Sequence, residues 1–336
     1  MGRPSVNIVS QIGGEVTPGT AVAANRFIPT ISWLPKLKID SKQFRAQGSK
    51  YNTTSVHHRK HSEGTFDGVL DYNSIIYVLN GLTVPVTTPA AVAGSTTAKK
   101  WAYRPLSRQL DNPKTYTIEV GDAVAVDKYA YGQLTSLTTA WGQDDLKISG
   151  GLIAQTMVPN QTQTGSVVNL AERPVERGQV DVFVDTAFGS IGTTQVTDPF
   201  EEEFALGEKF KPKFVHNSQY ASWKEAIEIA PSLVFTFTEE HNAQGRSRLA
   251  GVINNATAMQ YMRIKCQGVD LSTAQDGSVR ELIQWDVAGK FTEPEEIKDI
   301  LSGGVYGYKY HFVALDDPAG MGRPWQVDVI NTLTAL

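Results

Sequence analysis

VYGYKYHFVAL, residues 305–315, decides how the rest of this sequence is read. Tyr306, Tyr308, Tyr310 and Phe312 recur at every second position, the period of a strand with one half-buried face. The same period spreads outward from it. In the second half it runs through 179–185 (QVDVFVD), 227–240 (IEIAPSLVFTFTEE), 261–267, 281–291 and 324–333, where Trp325, Val327, Val329 and Leu333 share a face. In the first half it marks 5–10 (SVNIVS), 115–120 and 129–141 (YAYGQLTSLTTAW). Residues 27–40 alternate through Ile31, Trp33, Leu37 and Ile39, with Pro29 and Pro35 marking an edge or a bulge. Thr, Val, Tyr and Phe dominate these runs, which suits a pleated surface. The expected fold class is mainly β.

Helical spacing is scarce. Residues 71–82 (DYNSIIYVLNGL) place Tyr72, Ile75, Leu79 and Leu82 on one face, with Asp71 as N-cap and Gly81 near the end. Residues 245–255 form a weaker candidate. Residues 294–301 (PEEIKDIL) open on Pro and acids and stop at Gly303 and Gly304, which predicts a third helix.

The runs repeat in order. SVNIVS and QVDVFVD each follow an Arg, and Pro35-Lys36 is echoed by Pro212-Lys213. In both halves a strand and then a helical stretch follow, at 64–70 and 71–82 and again at 232–238 and 245–255. YTIEVG at Tyr116 matches RIKCQG at Arg263 in pattern, and each half closes with a strand after paired glycines. The preserved order predicts a duplicated β domain. The expected division is a first domain over 1–160 with a loop insertion at 83–110, a polar linker over 161–178, and a second domain over 179–336.

Composition removes several classes of protein. With 336 residues, 41% hydrophobic and 20% charged, the chain has enough apolar surface for a large core. The 31 Lys+Arg against 35 Asp+Glu give a net −4, which excludes a globally basic nucleic-acid binder. The charge is uneven. Residues 1–170 carry 16 basic and 11 acidic side chains, residues 171–336 carry 15 and 24, so the halves stand at +5 and −9. Such halves attract each other or face different partners. The single Cys266 leaves no disulfide framework and no cysteine metal cage. Residues 1–7 lack a signal-peptide core and no run approaches a membrane span, so a soluble chain outside the secretion pathway and without membrane contact is expected.

Chemistry is hard to find. His57, His58, Arg59, Lys60 and His61 form the densest cluster of functional side chains. His57 and His61 would share a helix face for zinc, but their flanks read as strand and turn and no third ligand is suitably spaced. The reading is a solvated basic loop, able to contact phosphate or an acidic neighbouring subunit. Glu201, Glu202 and Glu203, with Glu239 and Glu240, make acidic runs; neighbours on a strand point to opposite faces and form no catalytic pair. Phosphate-binding glycine loops, GxSxG and HExxH are absent. Cys266 lies in an expected strand without an activating His, and the six tryptophans are scattered singly. No enzyme and no cofactor are expected.

Several stretches carry a resemblance. They are GRPSVNIVSQ near the start, residues 18–27 (PGTAVAANRF) with Pro29-Thr30, and residues 44–51 (FRAQGSKY). GTFDGVLDYNSIIYVLNGL, TYTIEVGD and Tyr131-Gly132-Gln133 belong with them, as do PSLVFTFTEEHNAQGRSRL and the closing ALDDPAGMGRPWQVDVINTLTAL. Over nearly the whole chain these runs resemble the major tail tube proteins of long-tailed bacteriophages with non-contractile tails. The resemblance implies β-barrel or sandwich domains with a flanking helix, stacked as rings around a channel. Many such proteins have one domain and form hexameric rings; two domains here imply a homotrimer with pseudo-sixfold symmetry, stacking head to tail. The implied partners are other copies of the chain, a tape-measure protein, tail terminator and tip proteins, and double-stranded DNA in transit without specific binding. The implied place is the virion tail, assembled in the host cytoplasm. The bore should be acidic or neutral so that DNA slides, with Glu201, Glu202, Glu203, Glu239 and Glu240 as candidate lining, and His57, His58, Arg59, Lys60 and His61 as a candidate contact loop between subunits. The competing expectations are a capsid decoration protein and a base-plate or fibre β protein that binds glycan through an aromatic stripe such as Tyr306, Tyr308 and Tyr310.

Overall fold

Period-two runs bury their apolar faces only by pairing edge to edge. The computed structural model shows that outcome over residues 7–142, 146–215, 223–254, 258–292, 294–300 and 304–336. Strands take 51% of the chain and helices 8%, so the fold is mainly β. The first half holds β1 (Val9–Gly14), β2 (Arg26–Phe27), β3 (Ile31–Phe44), β4 (Thr54–Val69), α1 (Ile75–Asn80), β5 (Ala90–Ala91) and β6 (Lys99–Tyr103). It continues with β7 (Tyr116–Gly121), β8 (Val126–Leu134), β9 (Leu137–Trp141), β10 (Leu146–Ala154), β11 (Val158–Gln161) and β12 (Val168–Asn169). The second half holds β13 (Val180–Asp185), β14 (Pro199–Leu206), β15 (Phe210–Lys213), β16 (Glu225–Glu228), β17 (Leu233–Glu240) and α2 (Ala243–Asn254). After these come β18 (Gln260–Asp270), β19 (Arg280–Phe291), β20 (Glu295–Ile300), β21 (Val305–Ala314) and β22 (Trp325–Asn331).

Twenty strands join one hydrogen-bonded network, and β15 and β16 pair separately. In the first half the antiparallel order is β1–β7–β8–β10–β4–β3. In the second it is β13–β18–β19–β21–β17–β14, also antiparallel. Chain order matches too: α1 follows β4 and α2 follows β17. β9 and β20 each form a hairpin with the next strand, β10 and β21. The helix entries share one chemistry. Asp71 Oδ1 accepts from the backbone N–H groups of Asn73 (2.8 Å) and Ser74 (2.9 Å), and Asn242 Oδ1 accepts from those of Gln244 (2.9 Å) and Gly245 (3.0 Å). Asn242 caps the first turn of α2 directly, whereas Asp71 closes the turn that leads into α1, whose own cap position is Ser74.

The halves meet edge to edge. β9 pairs antiparallel with β14, placing Trp141 opposite Glu202 and Leu137 opposite Leu206. β22 pairs with β19 on one side and β6 on the other, carrying the second half across to the first. One apolar core spans both. Trp33, Trp101, Trp141, Trp223 and Trp285 are fully buried, with the Trp285 ring 4.4 Å from Phe204 and 6.3 Å from Trp141. No barrel closes, because β3 pairs only with β4 and β20 only with β21 among the described residues.

Three local expectations change. The predicted helix at 294–301 is strand β20 over Glu295–Ile300, Leu301 lying outside the described residues. Helix preference is a few tenths of a kcal/mol per residue, whereas pairing with β21 supplies a partner for alternate backbone groups, worth about 1 kcal/mol each. Glu295 also falls opposite Lys309, a favourable cross-strand charge pair. The stretch at 83–110, read as a loop insertion, contains the β5–β6 hairpin, whose Trp101 and Tyr103 are fully buried. The polar stretch at 161–178 is docked along the first half. β12 runs parallel to β2, Leu170 and Val175 are buried, and Asp71 accepts from the Arg173 N–H.

Candidate functional site

The acidic runs lie on strands, so alternation sorts them. On β14, Glu201 and Glu203 are exposed while Glu202 is buried at 3%. Glu202 accepts from Arg177 Nη1 at 3.0 Å, and the same guanidinium donates to the carbonyls of Trp141 (3.0 Å), Pro199 (3.2 Å) and Phe200 (3.0 Å). Arg177 thus staples β9 to β14 at their junction. Glu239, buried on β17, accepts from Arg248 Nε of α2 at 2.7 Å, and Glu240 is half-buried. Burial pushes the carboxyls of Glu202 and Glu239 above the usual range, their arginines pulling part of the way back. Glu202 and Glu239 therefore face the interior of the chain and cannot line a channel. Of the five nominated carboxylates, Glu201, Glu203 and Glu240 keep access to solvent.

The basic cluster lies in strand β4, not in a loop. His57 sits opposite Ser41, Arg59 opposite Asp40, Lys60 opposite Ile39 and His61 opposite Lys38. Backbone pairing with β3 leaves no freedom for a loop here. His57, His58 and Arg59 are exposed, but His61 is buried, its Nε2 2.7 Å from Glu63 Oε1 and its ring edge-on to Phe214 at 5.2 Å. Arg59 lies over the same phenyl ring at 4.4 Å, a cation–π contact. Burial works to raise the Glu63 carboxyl, yet hydrogen bonds from Lys38 and His61 prevail and hold it below the usual range. Toward its tip, beyond the buried His61 and Ser62, the β3–β4 hairpin is an arm exposed on both faces, and Leu37, Ile39, Phe44, Tyr51 and Val56 are exposed along it. Apolar side chains clustered on an exposed arm mark a contact surface.

The outer edges of β3 and β20, each paired on one side only among the described residues, complete this surface. Val69 N–H donates to Thr30 O at 3.0 Å. By antiparallel alternation Ser32, Leu34 and Lys36 then turn their backbone groups toward β4, and Trp33, Pro35 and Leu37 turn theirs outward. Trp33 N–H donates to Ser10 Oγ at 3.1 Å, Pro35 has no N–H to lose, and Leu37 is exposed. On the other edge, His241 N–H donates to Tyr306 O at 2.9 Å. That phase directs Glu295 and Ile297 of β20 to β21 and leaves Glu296 facing outward. Sequence reading missed these edges as a site. Pro35 was their one signal, since a proline in a strand belongs at an edge.

Groups with catalytic potential are engaged elsewhere. Cys266 is buried in β18, where desolvation pushes its thiol up to about 12. Tyr310 is buried and donates to Gly245 O at 3.2 Å. Tyr306 and Tyr308 share a hydroxyl contact of 3.0 Å, which holds the Tyr306 phenol near 12, and both rings pack on His241 at 5.2 Å. Lys209, also missed in the sequence, is buried, donating to Asp111 and to Leu82 O at 2.9 Å. Among the described residues no group of three or more His, Cys, Asp or Glu could hold a metal ion, and no helix is long and apolar enough to cross a membrane. Comparison of the chain with protein-family models and with curated proteins finds no match.

Proposed function

We propose that this chain is the building block of a hollow tail tube of a long-tailed, non-contractile bacteriophage. Three copies close a ring with pseudo-sixfold symmetry, and rings stack head to tail into a conduit through which phage DNA is ejected into the host. The observation that carries this reading is the shared strand order of the two halves, joined inside one chain by the β9–β14 ladder. Two similar β domains arose on this reading by duplication, and their in-chain joint stands for a joint between subunits. Head-to-tail contacts of this type do not close along the axis, which is how identical subunits make a filament.

The mechanism is passive. DNA passes when the wall holds few fixed cations, since neutralised phosphates release counterions and bind tightly. Glu201, Glu203 and Glu240 remain candidates for such a wall. The exposed β3–β4 arm, with His57, His58 and Arg59, is suited to reach an adjoining ring. A tape-measure protein and tail terminator and tip proteins are the further partners, and the virion tail is the place of action.

A second reading, a base-plate or fibre protein that holds glycan, draws on Tyr306 beside Tyr308 and His241. Electron microscopy of the purified protein separates them. Hollow tubes are expected. Discrete trimers that do not stack would indicate a capsid decoration protein, and monomers that bind sugar a fibre component. A lysine- and arginine-lined bore in a tube map would remove the neutral or acidic wall.

A further inference from the structure

β3 and β20 each keep an open edge, in a chain that has already closed the equivalent pair. The turns after the two strands fix the equivalence: Asp71 and Asn242 each lie two residues past the end of β4 and β17 and accept the N–H groups two and three residues on, so Phe66 corresponds to Phe237 and Thr65 to Thr236. Carried through the ladders, this matches every strand of the joint. Leu34 lies opposite Thr65 and Glu203 opposite Thr236, so Leu34 corresponds to Glu203, and by the same step Lys36 corresponds to Ala205. On the other side, Ala140 reaches Val69 through Lys147, and Ile297 reaches Glu240 through Gly307, so Ala140 corresponds to Ile297. Thr138 corresponds to Glu295 likewise, through Ser149 and Asp67 against Lys309 and Thr238.

Within the chain β9 pairs with β14, Ala140 opposite Glu203 and Thr138 opposite Ala205. We propose that β20 of one copy pairs antiparallel with β3 of a second copy in the corresponding register, Ile297 opposite Leu34 and Glu295 opposite Lys36. This deepens the tube reading and rests on it, naming the strands that join one chain to the next.

The side chains that this register brings together are complementary. Leu34 is 42% exposed, too apolar for a free edge, and Ile297 is its half-buried match. Lys36 and Glu295 are both exposed and opposite in charge. Gly207 N–H donates to Ser232 O at 2.8 Å, so Glu203 and Ala205 turn their backbone toward β17 and form non-hydrogen-bonded pairs across the in-chain joint. Their counterparts inherit that geometry, with facing side chains in close contact. Glu296 falls opposite Pro35, where its N–H finds the Pro35 carbonyl while the missing proline N–H discourages pairing with foreign strands. The free edges are the two ends of one repeated joint, so copies add until a ring closes.

Non-hydrogen-bonded pairs bring Cα atoms to about 4.5 Å, within reach of a disulfide. The double variant Leu34→Cys/Ile297→Cys, oxidised in air, should give disulfide-linked chains on a non-reducing gel that end at a covalent trimer. Each single variant should give none, because Cys266 is buried. Lys36→Glu should cut the assembled fraction by roughly tenfold and Glu295→Lys in the same chain should restore it. Tubes that form without this cross-link, or a charge swap that fails to rescue, would overturn the register and leave the tube reading standing. Cross-link-free monomers with no assembly would overturn both.

Discussion

Arg177 shows how much of this fold hangs on single buried charges. Its guanidinium neutralises Glu202 and caps three carbonyls at the meeting of the halves. Removing one partner of a buried pair strands the other, so Arg177→Met should cost about 3–5 kcal/mol in urea unfolding. The pH dependence follows from burial. Glu202 binds a proton more readily folded than unfolded, because desolvation outweighs Arg177. Its contribution is therefore fully present below the ordinary carboxylate value and is lost as pH rises through the higher folded value. Thermal melts of wild type and Glu202→Gln should show wild type gaining relative stability as pH falls from neutral through that window. At this scale the sequence was half legible. Three consecutive glutamates on a strand must alternate, but the Arg that pairs with the inward one lies in a different segment.

Caps and ladders set the elements. Asp71 accepts backbone N–H groups from Asn73 and Ser74 and a third from Arg173. Asp71→Ala should thus cost about 2 kcal/mol, because it strands N–H donors of a buried turn, and Asn242→Ala about 1 kcal/mol as a lost N-cap. Calorimetry of the two variants tests the order. β10 supplies a further check. A Cβ on Gly150 would meet the Phe66 ring at 2.6 Å and the Ser136 carbonyl, so Gly150→Val should destabilise by about 1–3 kcal/mol or more. A helix within 71–82 could be read because its turn and spacing are local, though it spans only Ile75–Asn80, is capped at Ser74 rather than Asp71, and buries all six residues instead of one stripe. PEEIKDIL could not, since its strand state is decided by the open edge of β21.

At the scale of the molecule, one core ties the halves together, and Trp285 sits at its centre against Phe204, Trp141 and Trp325. Trp285→Ala should cost about 3–5 kcal/mol and unfold both halves in one transition, read by calorimetry. The +5 and −9 halves act at longer range. If assembly brings unlike halves of different copies together, tubes should loosen or assemble more slowly above roughly 0.5 M salt, where the screening length falls to a few ångströms. Light scattering against salt concentration reads this directly, and indifference to salt would remove that role. The sequence by itself determined the mainly β class and two of the helices, because period-two patterning, caps and turn residues act within a few neighbours. Only the tertiary structure decided which edges pair, which glutamates turn inward and which strands remain open. Those outcomes depend on residues far apart in the chain competing for the same hydrogen bonds and the same buried space.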